Sequence, residues 1–153
     1  MKTLGNIIWF LLYGGLFSGL LWWLFGLFAL ISIVGIPWAR ACFVVGSFTF
    51  FPFGKEAIAR DQLRGIQDIG TSIFGTLGNI IWFIFAGVWI ALCHVLEAAV
   101  SAVTIIGIPF AWQHLKLAAL ALCPIGMTVV DSDVAQLARQ ENARETLQRV
   151  RRP

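Results

Sequence analysis

The sequence predicts an all-α integral membrane protein made of two tandem repeats, each a long apolar helix followed by a shorter one, with about four membrane segments in total. Apolar residues make up 59% of the 153-residue chain and charged residues 12%, against ~45–50% and ~25% in soluble domains. Residues 3–39 contain no Lys, Arg, Asp or Glu, and a membrane-spanning helix needs only ~20 such residues. A soluble chain of this length cannot bury so much apolar surface, so a membrane location is predicted.

Three short motifs occur twice, in the same order. With the first residue number of each copy, they are Gly-Asn-Ile-Ile-Trp-Phe at 5 and 78, Gly-Ile-Pro at 35 and 107, and Pro-x-Gly at 52 and 124. The offset between copies is 73 residues at the first motif and 72 at the other two, so the copies differ by one residue. A duplicated apolar unit is typical of membrane proteins.

The motifs divide the chain into four parts. The first membrane repeat is predicted over residues 4–54, a cytoplasmic linker over 55–76, the second membrane repeat over 77–126, and a cytoplasmic polar tail over 127–153. The tail opens with helix-start chemistry, because an acidic or hydroxyl side chain at positions 131–133 can cap a helix and Gln136 completes a capping box with Asp133.

The long segments run over residues 4–34 and 73–106. As a helix the first would reach ~46 Å, whereas the hydrocarbon core is ~30 Å thick. Each long segment must therefore tilt, extend into the headgroup region or break. Gly14-Gly15 and Gly87 are the candidate break points, since glycine weakens a helix.

Each Gly-Ile-Pro motif predicts a helix junction. Gly35 and Gly107 are expected to end the long helices in the left-handed conformation, and Pro37 and Pro109 to lie in the first turn of the next helices. The short segments that follow, 37–51 and 109–123, would reach only ~22 Å. They can span the bilayer, re-enter it or lie in its interface, and the sequence does not decide among these.

Basic residues predict the topology. They precede the first repeat at Lys2, recur in the linker at Lys55, Arg60 and Arg64, and return in the tail. Since Lys and Arg concentrate on the cytoplasmic side, both termini and the linker are predicted to be cytoplasmic. Each repeat then crosses the membrane an even number of times, and the two repeats are parallel.

Four ionisable residues within the repeats form a candidate polar site. His94 and Glu97 stand three apart, so they share a helix face and could relay protons or bind a cation. The favoured alternative is structural, with Glu97 near the outer interface or paired with His94 or Arg40. Arg40 and Lys116 either reach the headgroups or form an anion or lipid-headgroup site.

With these motifs the chain resembles the YccF family of bacterial inner-membrane components, which consist of two copies of one membrane domain. The resemblance covers nearly the whole chain. It is carried by Gly5-Asn6-Ile7, Gly78-Asn79-Ile80, Ile105-Ile106-Gly107-Ile108-Pro109, Pro124-Ile125-Gly126 and Lys55-Glu56-Ala57-Ile58. It implies an inner-membrane location and brings no enzymatic activity, cofactor or catalytic residue.

The sequence contains no nucleophile elbow, phosphate loop or HExxH motif. The three cysteines lie in apolar sequence without a CxxC pair, which favours buried thiols over a metal or redox role. We therefore expect a non-enzymatic inner-membrane component, accessory or structural, with no cofactor, metal or nucleic acid. Its partners would be the bilayer and either further copies of itself or another membrane protein. The alternative is an oligomeric channel or transporter for a small ion or solute.

Overall fold

The computed structural model describes residues 2–32 and 35–151. Its elements, in chain order, are α1 (Lys2–Leu12), α2 (Gly15–Ile31), α3 (Ile36–Phe50), β1 (Lys55–Ala59), α4 (Arg60–Arg64), α5 (Ile73–Trp82), a π-helical turn (Phe83–Gly87), α6 (Val88–Ala102), α7 (Ile108–Leu122), β2 (Met127–Asp131) and α8 (Ser132–Arg151). The predicted end of the first long segment, residues 33–34, and the last two residues of the predicted tail lie outside the described residues.

The prediction of a mostly helical protein is confirmed, but an all-α fold is wrong. Strands β1 and β2 pair in antiparallel register, with Lys55 opposite Asp131. Each strand follows a Pro-x-Gly motif whose glycine has positive φ, 85° at Gly54 and 91° at Gly126. This backbone conformation, which glycine adopts without steric cost, turns the chain out of a helix and into a strand.

The offset between the two copies changes from 73 to 72 residues within the long segments, and the two segments differ in structure at that point. Five residues separate Trp9 from Gly15, and four separate Trp82 from Gly87. In the first copy the helix breaks at Gly14, where φ is 82°, and α1 and α2 meet at 72°. The break predicted at Gly14 is present. At Gly87 the helix instead continues through the π-helical turn.

Among the described residues, Ile73–Ala102 is the one helix that is by itself long and apolar enough to cross a bilayer. Helices α1 and α2 meet the same test only when they are taken together as one bent segment. Helix α3 is apolar but shorter. Length and composition thus mark one clear span and leave the number of crossings open.

The core lies where two helical hairpins meet. Helix α2 packs along α3, α6 packs along α7, and α3 contacts α7 between them. Fully buried side chains from these helices and α1 include Trp9, Val45 and Leu117. Large apolar side chains also cover the outside: Phe28 is 62% exposed and Phe85 78% exposed. A soluble protein rarely carries apolar surface on this scale.

The junction prediction is half right. Pro37 and Pro109 lie in the first turn of α3 and α7, as expected. The left-handed conformation is wrong, because φ is −78° at Gly35 and −75° at Gly107. The structure requires glycine there for close approach. A Cβ atom on Gly107 would overlap the carbonyl oxygen of Ser101, and one on Gly35 would overlap that of Ala29.

Polar elements gather at one end of the molecule. Helix α8, whose start was predicted from capping residues, packs on β1 and α4. Arg139 donates to Glu56 at 2.6 Å, and Asn142 donates to the carbonyl of Gln62 at 2.8 Å. The side chain of Lys2 lies beside Gly54, directly before β1. The N-terminal helix, the linker and the tail therefore meet around the strand pair.

Candidate functional site

Helix α6 carries the polar pair that the sequence singled out. His94 Nδ1 lies 2.7 Å from Glu97 Oε2, because three residues along a helix bring two side chains onto one face. The two members differ in exposure: the His94 residue is 4% exposed, whereas the Glu97 side chain is 44% exposed. The pair thus joins a buried imidazole to a carboxylate at the protein surface.

A third residue joins this pair from the neighbouring helix. His114 on α7 places its Nδ1 3.1 Å from the same Glu97 oxygen. This contact is an approach of two charged or chargeable groups and not a hydrogen bond, so the buried Nδ1 lacks a hydrogen-bond partner among the described residues. The sequence shows His114 on the polar side of the second short segment, but it does not place that residue with His94 and Glu97.

The first repeat covers this cluster from one side. The ring of Trp9 on α1 lies 4.6 Å from the ring of His114, centroid to centroid. One turn further on, Tyr13 stacks on Phe110 of α7 at 4.0 Å. Trp9 is itself held in place, because its indole N–H donates to the carbonyl of Thr49 at 2.6 Å. The imidazole of His114 therefore packs against an indole ring that is itself hydrogen-bonded to α3.

The cluster has no counterpart in the first repeat. At the 72-residue offset, the positions of His94, Glu97 and His114 correspond to Trp22, Phe25 and Cys42. Trp22 is buried and stacks on Trp82 at 5.9 Å. The first copy thus packs apolar and aromatic groups where the second copy places three groups that can bind protons or cations.

The other two candidate residues lie apart from the cluster. Arg40 lines a groove between α3 and the linker, together with Arg60 and Gly70. Lys116 donates to the carbonyl of Lys55 at 3.5 Å. Within the described ranges neither residue forms an ion pair with Glu97, and the two line different cavities. The structure does not bring them together as one anion site.

Sequence reasoning missed a second ion pair, in the linker. Arg60 donates through Nε and Nη2 to both oxygens of Asp68, at 2.5 and 2.8 Å. Its Nη1 also donates to the carbonyl of Met127 in β2 at 3.3 Å. This hydrogen bonding holds the pKa of Asp68 well below its usual range. The pair holds the linker against the strands, and both carboxylate oxygens of Asp68 are bound by Arg60.

Comparison with known proteins identifies relatives along nearly the whole chain. Residues 4–55 and 77–127 match the YccF family, described as an inner membrane component domain. The chain is 38% identical over 145 residues to inner membrane protein YccF of Escherichia coli (strain K12), which covers 94% of this chain and 97% of the relative. The protein of the same name in Shigella flexneri matches to the same extent. No solved structure matches the chain.

Proposed function

Because the chain belongs to the YccF family of bacterial inner-membrane components, we propose that it is a multi-pass protein with a non-enzymatic role, accessory or structural. The observation that carries this proposal is the distribution of polarity. Large apolar side chains cover α2 and the helix running through α5 and α6, and the polar elements gather around the strand pair. The bilayer is then its first partner, joined by further copies of the chain or by another membrane protein.

We propose four membrane segments: α1–α2, α3, α5–α6 and α7. Helices α3 and α7 have 15 residues each, or ~22 Å, less than the ~30 Å core. Packing along α2 and α6 supports them within the bilayer, and local thinning can take up the remaining mismatch.

The location of the polar parts supports one orientation. Lys2, β1 and β2 lie at one end of the molecule, and the basic residues at that end favour a cytoplasmic location for it by the positive-inside rule. The connection between α6 and α7 then faces the periplasm.

Cysteine labelling of intact cells tests this topology. In a variant with Cys42, Cys93 and Cys123 changed to Ala, single cysteines are introduced as Gln67→Cys in the linker or Ile105→Cys between α6 and α7; both positions are exposed. A thiol reagent that cannot cross the inner membrane should label position 105 and should label position 67 only after that membrane is permeabilised. Labelling of position 67 in intact cells would contradict the proposed orientation.

A channel or transporter for a small ion is the second candidate function. It is favoured by Glu97, whose side chain is 44% exposed on the outside of the protomer, where another copy could complete a pathway. Ion flux into liposomes containing the purified protein, lost in Glu97→Gln, would support it. A stoichiometric membrane-protein partner that co-purifies with the chain, together with no flux, would instead support the accessory role.

A further inference from the structure

We propose that His94, Glu97 and His114 bind one divalent transition-metal ion, for which Zn²⁺ is a suitable probe. Each residue offers one ligand atom, and the three atoms lie within 4.8 Å of one another. Two imidazole nitrogens and a carboxylate oxygen form a donor set that Zn²⁺ and other first-row metals bind readily.

The spacing of the ligand atoms fits a metal ion. Metal–ligand bonds of about 2.0–2.1 Å in a tetrahedral site place neighbouring ligand atoms roughly 3.3 Å apart. In the structure the Glu97 oxygen lies 2.7 Å from His94 Nδ1 and 3.1 Å from His114 Nδ1. Lengthening these two distances by a few tenths of an ångström would bring the Glu97 oxygen to that spacing from both nitrogens, and all three ligand atoms lie within 4.8 Å of one another. Helix bundles that bind two metal ions likewise place Glu and His three apart on one helix and take further ligands from the other helices.

The hydrogen bonding of the cluster also points to a ligand. Both imidazoles are more than nine-tenths buried, and both direct Nδ1 at a single carboxylate oxygen. Among the described residues only His94 makes a hydrogen bond with it, and the buried His114 Nδ1 has no hydrogen-bond partner in that part of the chain. An unpaired buried polar group is costly, and a shared metal ion would satisfy both nitrogens at once.

The ion would remain accessible from one side. Three protein ligands leave a position open on a tetrahedral metal, unlike closed structural zinc sites, which have four. Glu97 is the exposed member of the cluster, with a side chain that is 44% exposed, so a fourth ligand would approach the ion from its side. The site therefore suits an exchangeable ion.

The composition of the chain allows a clean test, because its two histidines are both in the cluster. The three cysteines are the other strong zinc ligands, and they are replaced by Ala in the test protein. The chain is purified without a polyhistidine tag, in detergent and in nanodiscs. Zn²⁺ binding is measured by calorimetry, and Co²⁺ is added as a spectroscopic probe whose visible absorption reports tetrahedral coordination.

We expect one Zn²⁺ per chain, with binding lost in His94→Ala and in His114→Ala. Glu97→Gln should weaken binding by at least ~10-fold, since it removes a direct ligand and even indirect ones contribute that much. Glu56→Gln, which changes a carboxylate paired with Arg139 at the strand pair, is the matched control and should bind as the parent does. Zn²⁺ should also raise the unfolding temperature of the parent but not of His114→Ala.

Three results would overturn the proposal: no Zn²⁺ binding by the folded parent at micromolar concentrations, Zn²⁺ binding in His94→Ala and His114→Ala as tight as in the parent, or a Co²⁺ spectrum unchanged by Glu97→Gln. Glu97→Gln keeps the shape of an exposed side chain, so it tests the site even where a histidine variant fails to fold. The metal site does not depend on the proposed topology or on transport. Zn²⁺ binding without ion flux would still support the metal site, and ion flux without Zn²⁺ binding would still contradict it.

Discussion

Ala57 and Val129 face each other at the centre of the strand pair, and they are also equivalent residues of the two sequence copies, 72 positions apart. The hydrogen bonds at the two ends of the ladder are also equivalent, because their donors and their acceptors are each 72 positions apart in the chain. Arg60 N–H donates to Gly126 at 2.9 Å, and Ser132 N–H donates to Gly54 at 3.0 Å. An approximate two-fold axis therefore passes between Ala57 and Val129, and the strand pair joins the copies through equivalent residues.

This register predicts a disulfide between positions 57 and 129. Hydrogen-bonded pairs alternate with non-bonded pairs along an antiparallel ladder, and the bonds at Arg60 and Ser132 make Ala57 and Val129 a non-bonded pair with close side chains. Ala57→Cys with Val129→Cys, in the cysteine-free background, should cross-link within one chain under mild oxidation. Ala57→Cys with Val130→Cys, one residue out of register, should not. A cross-link in the second variant alone would show a shifted register.

Two asparagines at equivalent positions each bind the first helix of their own copy to that copy's Pro-x-Gly motif. Asn79 donates to the carbonyl of Ile125 at 2.9 Å and accepts from its N–H at 3.0 Å. Asn6 makes the same pair of bonds with Phe53, at 3.2 and 2.9 Å. Asn79→Ala and Asn6→Ala should each lower the free energy of unfolding by about 1–3 kcal/mol, because two backbone groups lose their partner.

Thermal unfolding in detergent measures these losses. Thr76→Ala is the control, since that exposed hydroxyl bonds only to the preceding turn of its own helix, and it should unfold as the parent does. Unfolding temperatures for both asparagine variants equal to that of Thr76→Ala would show that neither bond pair stabilises the fold.

The features that could be predicted from the sequence are those set by neighbouring residues. The Gly-Ile-Pro motif predicts where α3 and α7 begin, since proline suits the first helical turn, and the three-residue spacing of His94 and Glu97 predicts their contact. The strand pair was missed because its paired residues lie 68 to 76 positions apart in the chain and because five polar or mixed residues do not form a strand alone. His114 was missed for the same reason: only the packing of α6 on α7 brings it to Glu97.

Gly35 and Gly107 show a further limit of the sequence. Their helix-end position favours the left-handed conformation, a local property of the chain. In the structure, the approach of a carbonyl group six residues earlier in the chain decides the residue type instead. Such a steric demand depends on how the two helices of a hairpin meet, which the motif alone does not specify.

Gly107→Ala should strongly reduce the yield of folded protein. The added methyl group would overlap the carbonyl oxygen of Ser101, and backbone atoms cannot move aside as a flexible side chain can. Gly78→Ala is the control, because its Cβ would approach only the end of the Ile125 side chain, at 2.8 Å. Size-exclusion profiles in detergent measure the folded fraction. Equal profiles for the two variants would contradict the close approach at Gly107.

The Arg60–Asp68 pair predicts a loss of stability in acid. Since the pKa of Asp68 is lowered in the folded protein, its contribution is full above the unfolded value of about 3.9 and falls as the pH drops through the lowered value. Asp68→Asn should cost about 1–3 kcal/mol at pH 7, because it leaves Arg60 buried beside a neutral group. The Asp68 side chain is 35% exposed, so solvent screening favours the lower end.

The difference between Asp68→Asn and the parent should therefore shrink as the pH is lowered from 5 towards 3. Asp61→Asn is the control, since within the described ranges the Asp61 carboxylate accepts a hydrogen bond only from the neighbouring Gln62 N–H. Unfolding curves across this pH range measure both variants. A difference that stays constant with pH would mean that Asp68 acts through packing rather than through its charge.

Glu97 should stabilise the fold through the two buried imidazoles that face it. Glu97→Ala leaves His94 without its acceptor and removes the carboxylate that lies 3.1 Å from His114 Nδ1, so it should lower the free energy of unfolding by about 1–3 kcal/mol. Glu97→Gln keeps one acceptor oxygen and should cost less. His94→Ala combined with Glu97→Ala should cost less than the sum of the single changes, because removing both partners leaves fewer buried groups unpaired. Unfolding in the presence of a chelator measures these values without any contribution from bound metal. Additive losses would mean that the contact between His94 and Glu97 contributes no stability, and Glu97 would then act only as a ligand at the protein surface.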